Sequence, residues 1–198
     1  MKLKGKRVGF ALTASYCTLA KVLPEYEKMA EEDMEITAII SDNVLNYDTK
    51  FGKADKWIKR IKNITDGEII DSIVKAEPIG PQKLLDLIIV APCTGNTMSK
   101  IANGIIDETV VMAVKAQLRN QRPVLLAVAT NDGLSLNAGS FSKLLNMKNI
   151  FFVPFGQDNP KEKVNSLVSR MDLIKKSAEY ALEGKQIQPV LIEYNGLK

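Results

Sequence analysis

Residues 84–113, LLDLIIVAPCTGNTMSKIANGIIDETVVMA, are the stretch that decides the fold. The apolar run at 87–91 predicts a buried strand, and a helix is predicted to begin near Thr97. Between them lies TGNT at 94–97, which is small, polar and rich in hydrogen-bonding groups. In an open α/β sheet, ligands bind beyond the carboxyl ends of the strands, where helix N-termini offer free N–H groups. This segment therefore predicts a ligand site at the edge of a sheet.

Strands and helices alternate along the rest of the chain. Apolar runs predict further strands at residues 6–12, 34–40, 123–129 and 150–153, with a short strand and a loop in 69–81. Periodic apolar positions predict helices at residues 18–32, 51–64, 107–119, 135–147 and 162–184. Because the central strands are continuous apolar runs, we expect a mostly parallel sheet with helices on both faces. We expect one Rossmann-like α/β domain over residues 1–198.

The composition excludes several classes of site and partner. The chain has no histidine, which excludes Ser–His and Cys–His nucleophiles and argues against a zinc site. Lysine and arginine exceed aspartate and glutamate by 27 to 23, but the surplus is spread out, so neither nucleic-acid nor membrane binding is expected. The first apolar run is too short for a signal peptide, and we expect a cytoplasmic protein. Its chemistry must use another group or a cofactor.

Small polar side chains follow three predicted strands, at the edge where the carboxyl ends of these strands meet. They are Thr13, Ser15, Ser41, Thr94, Asn96 and Thr97. Hydroxyl groups and helix-start amides can bind phosphate without a glycine-rich motif, and neither G-x-G-x-x-G nor a Walker P-loop is present. The alternative interpretation is that each of these residues caps a helix or forms a turn. Three such loops at neighbouring strand ends favour a ligand.

Four more residues near this edge have a structural interpretation beside a chemical one. Asp107 and Glu108 lie at a predicted helix start, where negative charge interacts favourably with the helix dipole, and we favour that role over catalysis. Cys17 and Cys93 fall in the two adjoining loops. We favour inert packing for both over a reactive thiol. Two cysteines cannot form a disulfide framework.

The segment APCTGNTMSKIANGIIDETVV is similar to the P-x-S-x-N-T-x-x-K-x-A-x-G-x-x-D motif of the flavin-binding cysteine decarboxylases, a family of flavoproteins. LTAS at 12–15 resembles the T-G-S loop of that family, with Ala14 in place of the glycine. The resemblance implies a flavoprotein-type Rossmann-like fold, a homo-oligomer such as a trimer, and an FMN site. The residues that it implies as FMN contacts are Thr13, Ser15, Ser41, Thr94, Asn96 and Thr97.

Two features of the decarboxylases are absent from this chain. Their histidine is missing, and TNDGLSLN at 130–137 takes the place of their P-x-M-N-x-x-M-W segment. The segments FGKADKWIKRI, SIVKAEPIGP, TNDGLSLN and KNIFFVPFGQDNP instead resemble the B-subunit family of dipicolinate synthases over nearly the whole chain. That resemblance implies a partner, the A subunit of the synthase. It also implies oxidation of dihydrodipicolinate to dipicolinate in the mother cell of a sporulating bacterium.

The leading hypothesis is therefore an oxidoreductase subunit in which a flavin takes a hydride from a small dicarboxylate. Asn96 is the candidate catalytic residue, orienting flavin or substrate, and Asp132 is a candidate base. Lys115 and Arg119 are candidate partners of the substrate carboxylates. Two alternatives remain open: a non-catalytic nucleotide- or phosphate-binding partner of the A subunit, and a flavin-dependent decarboxylase acting on a thiol.

Overall fold

The predicted apolar runs form the centre of one sheet in the computed structural model, which describes residues 3–65 and 68–193. Seven strands lie within these residues: β1 (Arg7–Leu12), β2 (Glu35–Ile40), β3 (Leu87–Cys93), β4 (Val124–Thr130), β5 (Ile150–Phe152), β6 (Phe155–Gly156) and β7 (Leu167–Ser169). Their order is β2–β1–β3–β4–β7–β6, and β5 also pairs with β4. The pairs among β1 to β5 are parallel, whereas β7 is antiparallel to β4 and β6. The expected mostly parallel α/β sheet is confirmed.

Helices cover both faces of this sheet. In the described part of the chain they are α1 (Tyr16–Ala30), α2 (Asp42–Asn46), α3 (Ala54–Ile64), α4 (Ile73–Ala76), α5 (Gly95–Asn103), α6 (Thr109–Arg119), α7 (Ala138–Leu145) and α8 (Ile174–Leu182). Successive side chains of β3 point to opposite faces, so Ile89 packs with α1 and α8 while Ile88 and Val90 pack with α5 and α6. No helix of the described residues is long and apolar enough to cross a bilayer.

The terminal helix predicted over residues 162–184 is wrong in its first half. Residues 167–169 form β7 instead, and the α-helix begins only at Ile174. Leu167 lies so close to Gly133 that a Cβ on the glycine would come within 2.7 Å of the leucine side chain. The three- and four-residue spacing of apolar side chains thus reflects a short strand of the sheet followed by a helix that packs on the sheet. A second difference is that α4 lies within 69–81, where a loop was expected.

The amino end of the sheet is held by one carboxylate. Asp86, just before β3, accepts hydrogen bonds from the backbone N–H of Arg7 at 3.0 Å and from its guanidinium at 3.2 Å. Arg122, just before β4, donates to the same carboxylate at 3.2 Å. Burial raises the pKa of Asp86, but the hydrogen bonds and charge of Arg7, with the charge of Arg122, more than offset this and lower it. The starts of three adjacent strands meet at this carboxylate.

Asp86→Asn is expected to lower the free energy of unfolding by about 1–3 kcal/mol, because it removes charged hydrogen bonds to both arginines. The lowered pKa means that this stabilisation is present at neutral pH and is lost as the pH falls below about 4. Urea unfolding at pH 7 and pH 3 measures both effects, and the difference between the two proteins should be smaller at the lower pH. Asp33→Asn is the control, because the side chain of Asp33 is exposed and forms an ion pair with the equally exposed Lys4. Equal losses from both variants would contradict the role of Asp86.

Candidate functional site

The carboxyl ends of β1 and β3 are joined by the hydroxyl group of Thr13. This side chain is 1% exposed and donates a hydrogen bond of 2.6 Å to the carbonyl oxygen of Pro92. The same hydroxyl accepts a hydrogen bond of 3.3 Å from the backbone N–H of Thr94. The two loops that the sequence places at neighbouring strand ends therefore lie in contact, as predicted.

Helix α5 begins at this junction, two residues earlier than predicted. The hydroxyl of Thr94 accepts a hydrogen bond of 3.2 Å from the N–H of Thr97 and so caps the helix. The capping interpretation is thus correct for Thr94. The first amides of a helix have no carbonyl one turn back, so the N–H groups of Gly95 and Asn96 are the free donors at this end.

A small polar crevice lies at the junction and has a volume of about 160 Å³. We call it the strand-end crevice. It is lined by Thr13, Ala14, Ser41, Asn43, Thr94, Asn96, Thr97 and Glu108. These residues come from the ends of β1, β2 and β3, from the first turns of α2 and α5, and from the N-cap of α6. The crevice therefore lies at the position that an open α/β sheet uses for ligands.

Five of the six predicted binding residues line the strand-end crevice, and Ser15 does not. Ser15 is half-buried, and its hydroxyl donates a hydrogen bond of 3.0 Å to Thr18. Asn96 is exposed at the edge of the crevice, and its side chain makes no hydrogen bond within the described residues. Ala14 has no positive φ angle, so this turn does not require the conformational freedom of the family's glycine.

Two buried oxygen atoms in the strand-end crevice have no hydrogen-bond partner among the residues that the structure describes. They are Oγ of Ser41, whose side chain is 2% exposed, and Oε1 of Glu108, at 7%. A buried polar group without a partner costs free energy and is uncommon in native proteins. Both residues line the same crevice. Sequence reasoning assigned Glu108 to a helix start, and it does occupy the N-cap of α6, but its side chain makes no capping hydrogen bond.

Charged side chains around Glu108 belong to one small cluster. The ammonium group of Lys100 forms an ion pair of 2.8 Å with Asp107, and the carboxylate of Asp42 accepts a hydrogen bond of 3.2 Å from Thr109. Burial raises the pKa of Glu108; Lys100 opposes this, and Asp42 and Asp107 add to it. The net effect is a carboxyl group that binds its proton more tightly than an ordinary glutamate.

The two cysteines have different environments. Cys93 is fully buried, and burial, with a smaller contribution from the charge of Glu108, raises its pKa to about 12. Its thiol is therefore protonated and unreactive, as expected. Cys17 is exposed in the first turn of α1, so the expectation that it is buried packing is wrong.

The other candidate residues lie outside the strand-end crevice. Asp132 is exposed on the loop after β4, the loop that ends at the buried Asn137. Asn137 accepts a hydrogen bond of 2.5 Å from Ser99 and so connects this loop to α5. Lys115 and Arg119 lie two to three turns beyond Glu108 along α6. They line a separate groove between α5 and α6, so the crevice does not bring them together with the predicted contacts.

Comparison with known proteins places these features in a family. The model of the Flavoprotein family matches residues 1–176. The B subunit of dipicolinate synthase from Bacillus subtilis (strain 168) is 50% identical over 195 residues, which cover 98% of each chain. The crystal structure of the corresponding B subunit from Bacillus halodurans C superposes with a TM-score of 0.89 at 50% identity, covering 98% of this chain and 99% of that one.

More distant relatives share the fold. The structure of the FMN binding protein AtHal3 superposes with a TM-score of 0.63 at 17% identity, covering 93% of this chain and all of that chain. The Rossmann-like flavoprotein fold expected from the sequence is therefore confirmed.

Gly95→Ala is expected to displace the start of α5. An added Cβ would lie 2.6 Å from Oγ1 of Thr130 and would also overlap the amide of Asn137. We expect a loss of about 1–3 kcal/mol in the free energy of unfolding, measured by urea titration. Gly139→Ala in α7 is the control, because an added Cβ there contacts nothing within 4 Å. It should raise stability by about 0.5–1 kcal/mol, as alanine does in a helix. A neutral Gly95→Ala would show that this contact does not position α5.

Proposed function

We propose, since this chain belongs to the Flavoprotein family, that the strand-end crevice binds FMN and that the chain is the flavin-binding subunit of a dipicolinate synthase. The 50% identity to the B subunit of a dipicolinate synthase over almost the entire chain supports the second part. The observation that carries the first part is Oγ of Ser41, buried at the crevice without a partner in the described structure.

The residues of the strand-end crevice fit the polar part of FMN. Ser41 offers a hydroxyl donor, and the first amides of α5 offer N–H groups at the positive end of a helix dipole. A volume of about 160 Å³ is below the roughly 300–1,000 Å³ of sites that enclose drug-sized ligands. Only part of FMN would therefore fit inside, and its ring system would extend across the exposed Asn96.

The candidate surface for that ring system is the loop after β4, which contacts α5 through Asn137. The loop after β4 exposes two apolar side chains, Leu134 and Leu136, which are 51% and 88% exposed. The contact between Gly95 and Asn137 ties this loop to the start of α5. Exposed apolar side chains beside a polar site are typical of surfaces that a ligand or a second protein covers. We infer that a second copy of this chain or the A subunit completes the flavin site here.

FMN, when bound, supplies a two-electron acceptor for a hydride, which no side chain can provide. Oxidation of dihydrodipicolinate to dipicolinate removes one hydride and one proton. In this proposal the amide of Asn96 orients the reacting rings at the edge of the crevice. Ser41 and the α5 amides hold the polar end of the cofactor. Asp132, exposed on the neighbouring loop, is the candidate acceptor of the proton.

The substrate carboxylates require cations that this crevice does not supply. No lysine or arginine lines the crevice in the described structure, and Lys100 nearby is paired with Asp107. Carboxylates are bound most strongly by charge-assisted hydrogen bonds from such groups. The proposal therefore assigns binding of the dicarboxylate to the A subunit or to a second copy of this chain. It places the reaction in the cytoplasm of the mother cell.

A second candidate function is a non-catalytic subunit whose crevice binds a nucleotide or phosphate while the A subunit performs the oxidation. This alternative is favoured because no lysine or arginine lines the crevice in the described structure to bind the substrate carboxylates, which leaves the oxidation to the A subunit. A decarboxylase acting on a thiol is less well supported, since the chain has no histidine.

Absorption spectroscopy and reconstitution separate these functions. We expect the purified chain to take up FMN and to show a flavin spectrum, and dipicolinate to form only when both subunits are present. Asn96→Asp should reduce FMN occupancy or turnover at least tenfold, because it places a negative charge beside the cofactor. Asn63→Asp, on the exposed surface of α3, is the control. A colourless protein that does not bind FMN would exclude both flavin-dependent functions. Dipicolinate formation by a flavin-free pair would identify this chain as the non-catalytic subunit.

Ser41→Ala should weaken FMN binding about tenfold, because it removes a donor to a charged or polar oxygen of the ligand. It should leave the free energy of unfolding unchanged or raise it by about 1 kcal/mol, because the hydroxyl is buried without a partner within residues 3–65 and 68–193. Fluorescence titration and urea unfolding measure the two effects.

Ser177→Ala is the matched control for Ser41→Ala. Its hydroxyl is also buried and, within the described part of the chain, unpartnered, but it lies in α8. It should change stability similarly and leave FMN binding unaltered. A destabilised Ser41→Ala with normal FMN affinity would refute the assignment of this hydroxyl to the ligand.

A further inference from the structure

Glu108 is an unusual residue for a crevice at helix N-termini, because helix N-termini favour anionic ligands. Its side chain is 7% exposed, and Oε1 has no partner in the described structure. It lies in the strand-end crevice together with Ser41 and the start of α5. Ionised, it would place a negative charge where the free N–H groups favour an anionic ligand. Protonated, it has an O–H donor to offer.

The groups around Glu108 do not neutralise a carboxylate completely. Lys100 on α5 is the facing cation, and its ammonium group already contacts Asp107 at 2.8 Å. Asp42 on α2 contributes a second negative charge, and the thiol of Cys93 at the end of β3 is buried. Three carboxyl groups thus surround one lysine. This imbalance, together with burial, favours the neutral form of the most buried of the three.

We propose that Glu108 binds the ligand in its protonated form and donates a hydrogen bond to a phosphate oxygen of FMN, so that binding takes up one proton wherever Glu108 is ionised in the free protein. This proposal rests on the proposed function, because it assigns the phosphate group of FMN to the strand-end crevice. Ser41 and the first amides of α5 are the other donors to that group. Glu108 then makes the affinity for a phosphorylated ligand depend on pH.

The pH dependence has a definite sign. Burial raises the pKa of Glu108. The charge of Lys100 opposes this shift, and the charges of Asp42 and Asp107 add to it. Above that pKa, the free protein must regain a proton before FMN binds. The dissociation constant for FMN then rises up to about tenfold for each unit of pH, a simple consequence of linkage. Glu108→Gln is neutral at every pH and keeps a donor in the same position.

The experiment measures FMN binding by fluorescence quenching between pH 5.5 and 8.5 for the unmodified protein and Glu108→Gln. Because a phosphate group itself titrates near pH 6, the quantity compared is the ratio of the two dissociation constants at each pH. We expect this ratio to rise at least tenfold across the range. Riboflavin, which lacks the phosphate group, should give a constant ratio. Glu31→Gln, at the exposed end of α1, should behave as the unmodified protein.

Two outcomes overturn the inference, and they differ in what they say of FMN. If FMN binds both proteins with the same pH profile, the proposed function stands and the role of Glu108 is wrong. If FMN binds neither protein at any pH, the proposed function fails and this inference fails with it. FMN binding to Glu108→Gln at pH 8.5, where the unmodified protein binds weakly, supports both.

A measurement without ligand checks the buried acid directly. Because the folded-state pKa of Glu108 is raised, its contribution to stability is fully present below the unfolded-state value of about 4.3. That contribution is lost as the pH rises through the folded-state pKa. Glu108→Gln should therefore become progressively more stable than the unmodified protein over that window in urea unfolding.

If the variant does not fold, calorimetry of the unmodified protein in two buffers of different ionisation enthalpy measures proton uptake on FMN binding. Zero uptake at every pH between 5.5 and 8.5 would refute the proposal.

Discussion

The hydroxyl group of Thr13 is the contact on which the candidate site depends. It connects the carbonyl of Pro92 with the N–H of Thr94 and so joins the ends of β1 and β3 at the start of α5. Parallel strands bring their carboxyl ends to one edge, but only a contact of this kind fixes the separation of two loops. Because α5 begins at this contact, its first turn brings Asn96 and Thr97 to the strand-end crevice. Thr13 therefore acts mainly by positioning the site.

Stability alone does not explain the lining of the strand-end crevice. Ser41 and Glu108 bury oxygen atoms for which the described residues offer no partner, whereas the amino end of the same sheet satisfies Asp86 fully with Arg7 and Arg122. Most buried polar groups in native proteins are hydrogen-bonded, but such exceptions are not confined to the crevice, since Oε1 of Gln117, beside Pro123 at the amino end, is also buried without a partner in the described structure. The proposed function gives Ser41 and Glu108 a ligand as their hydrogen-bond partner.

In the proposed synthase, the crevice of this chain binds the cofactor and a partner chain binds the substrate. Its donors suit a phosphate group, its lining residues include neither lysine nor arginine in the described structure, and the loop beside it exposes Leu134 and Leu136. An oxidoreductase acting on a dicarboxylate needs cations near the substrate and a cover that excludes water. A partner that supplies both would explain why a chain with a well-formed polar crevice has so few groups for acid–base chemistry.

The sequence by itself determined the sheet, because buried parallel strands are continuous apolar runs, and it located the polar loops at the strand ends. It also identified five of the crevice residues. The helix predicted over residues 162–184 is wrong in its first half, because apolar side chains in a strand followed by a helix can also repeat at three- and four-residue steps. Only the tertiary structure decided that Ser15 lies outside the crevice, that Cys17 is exposed and that Glu108 is buried inside it. Burial and missing hydrogen-bond partners are properties of contacts between distant segments, and no local pattern encodes them.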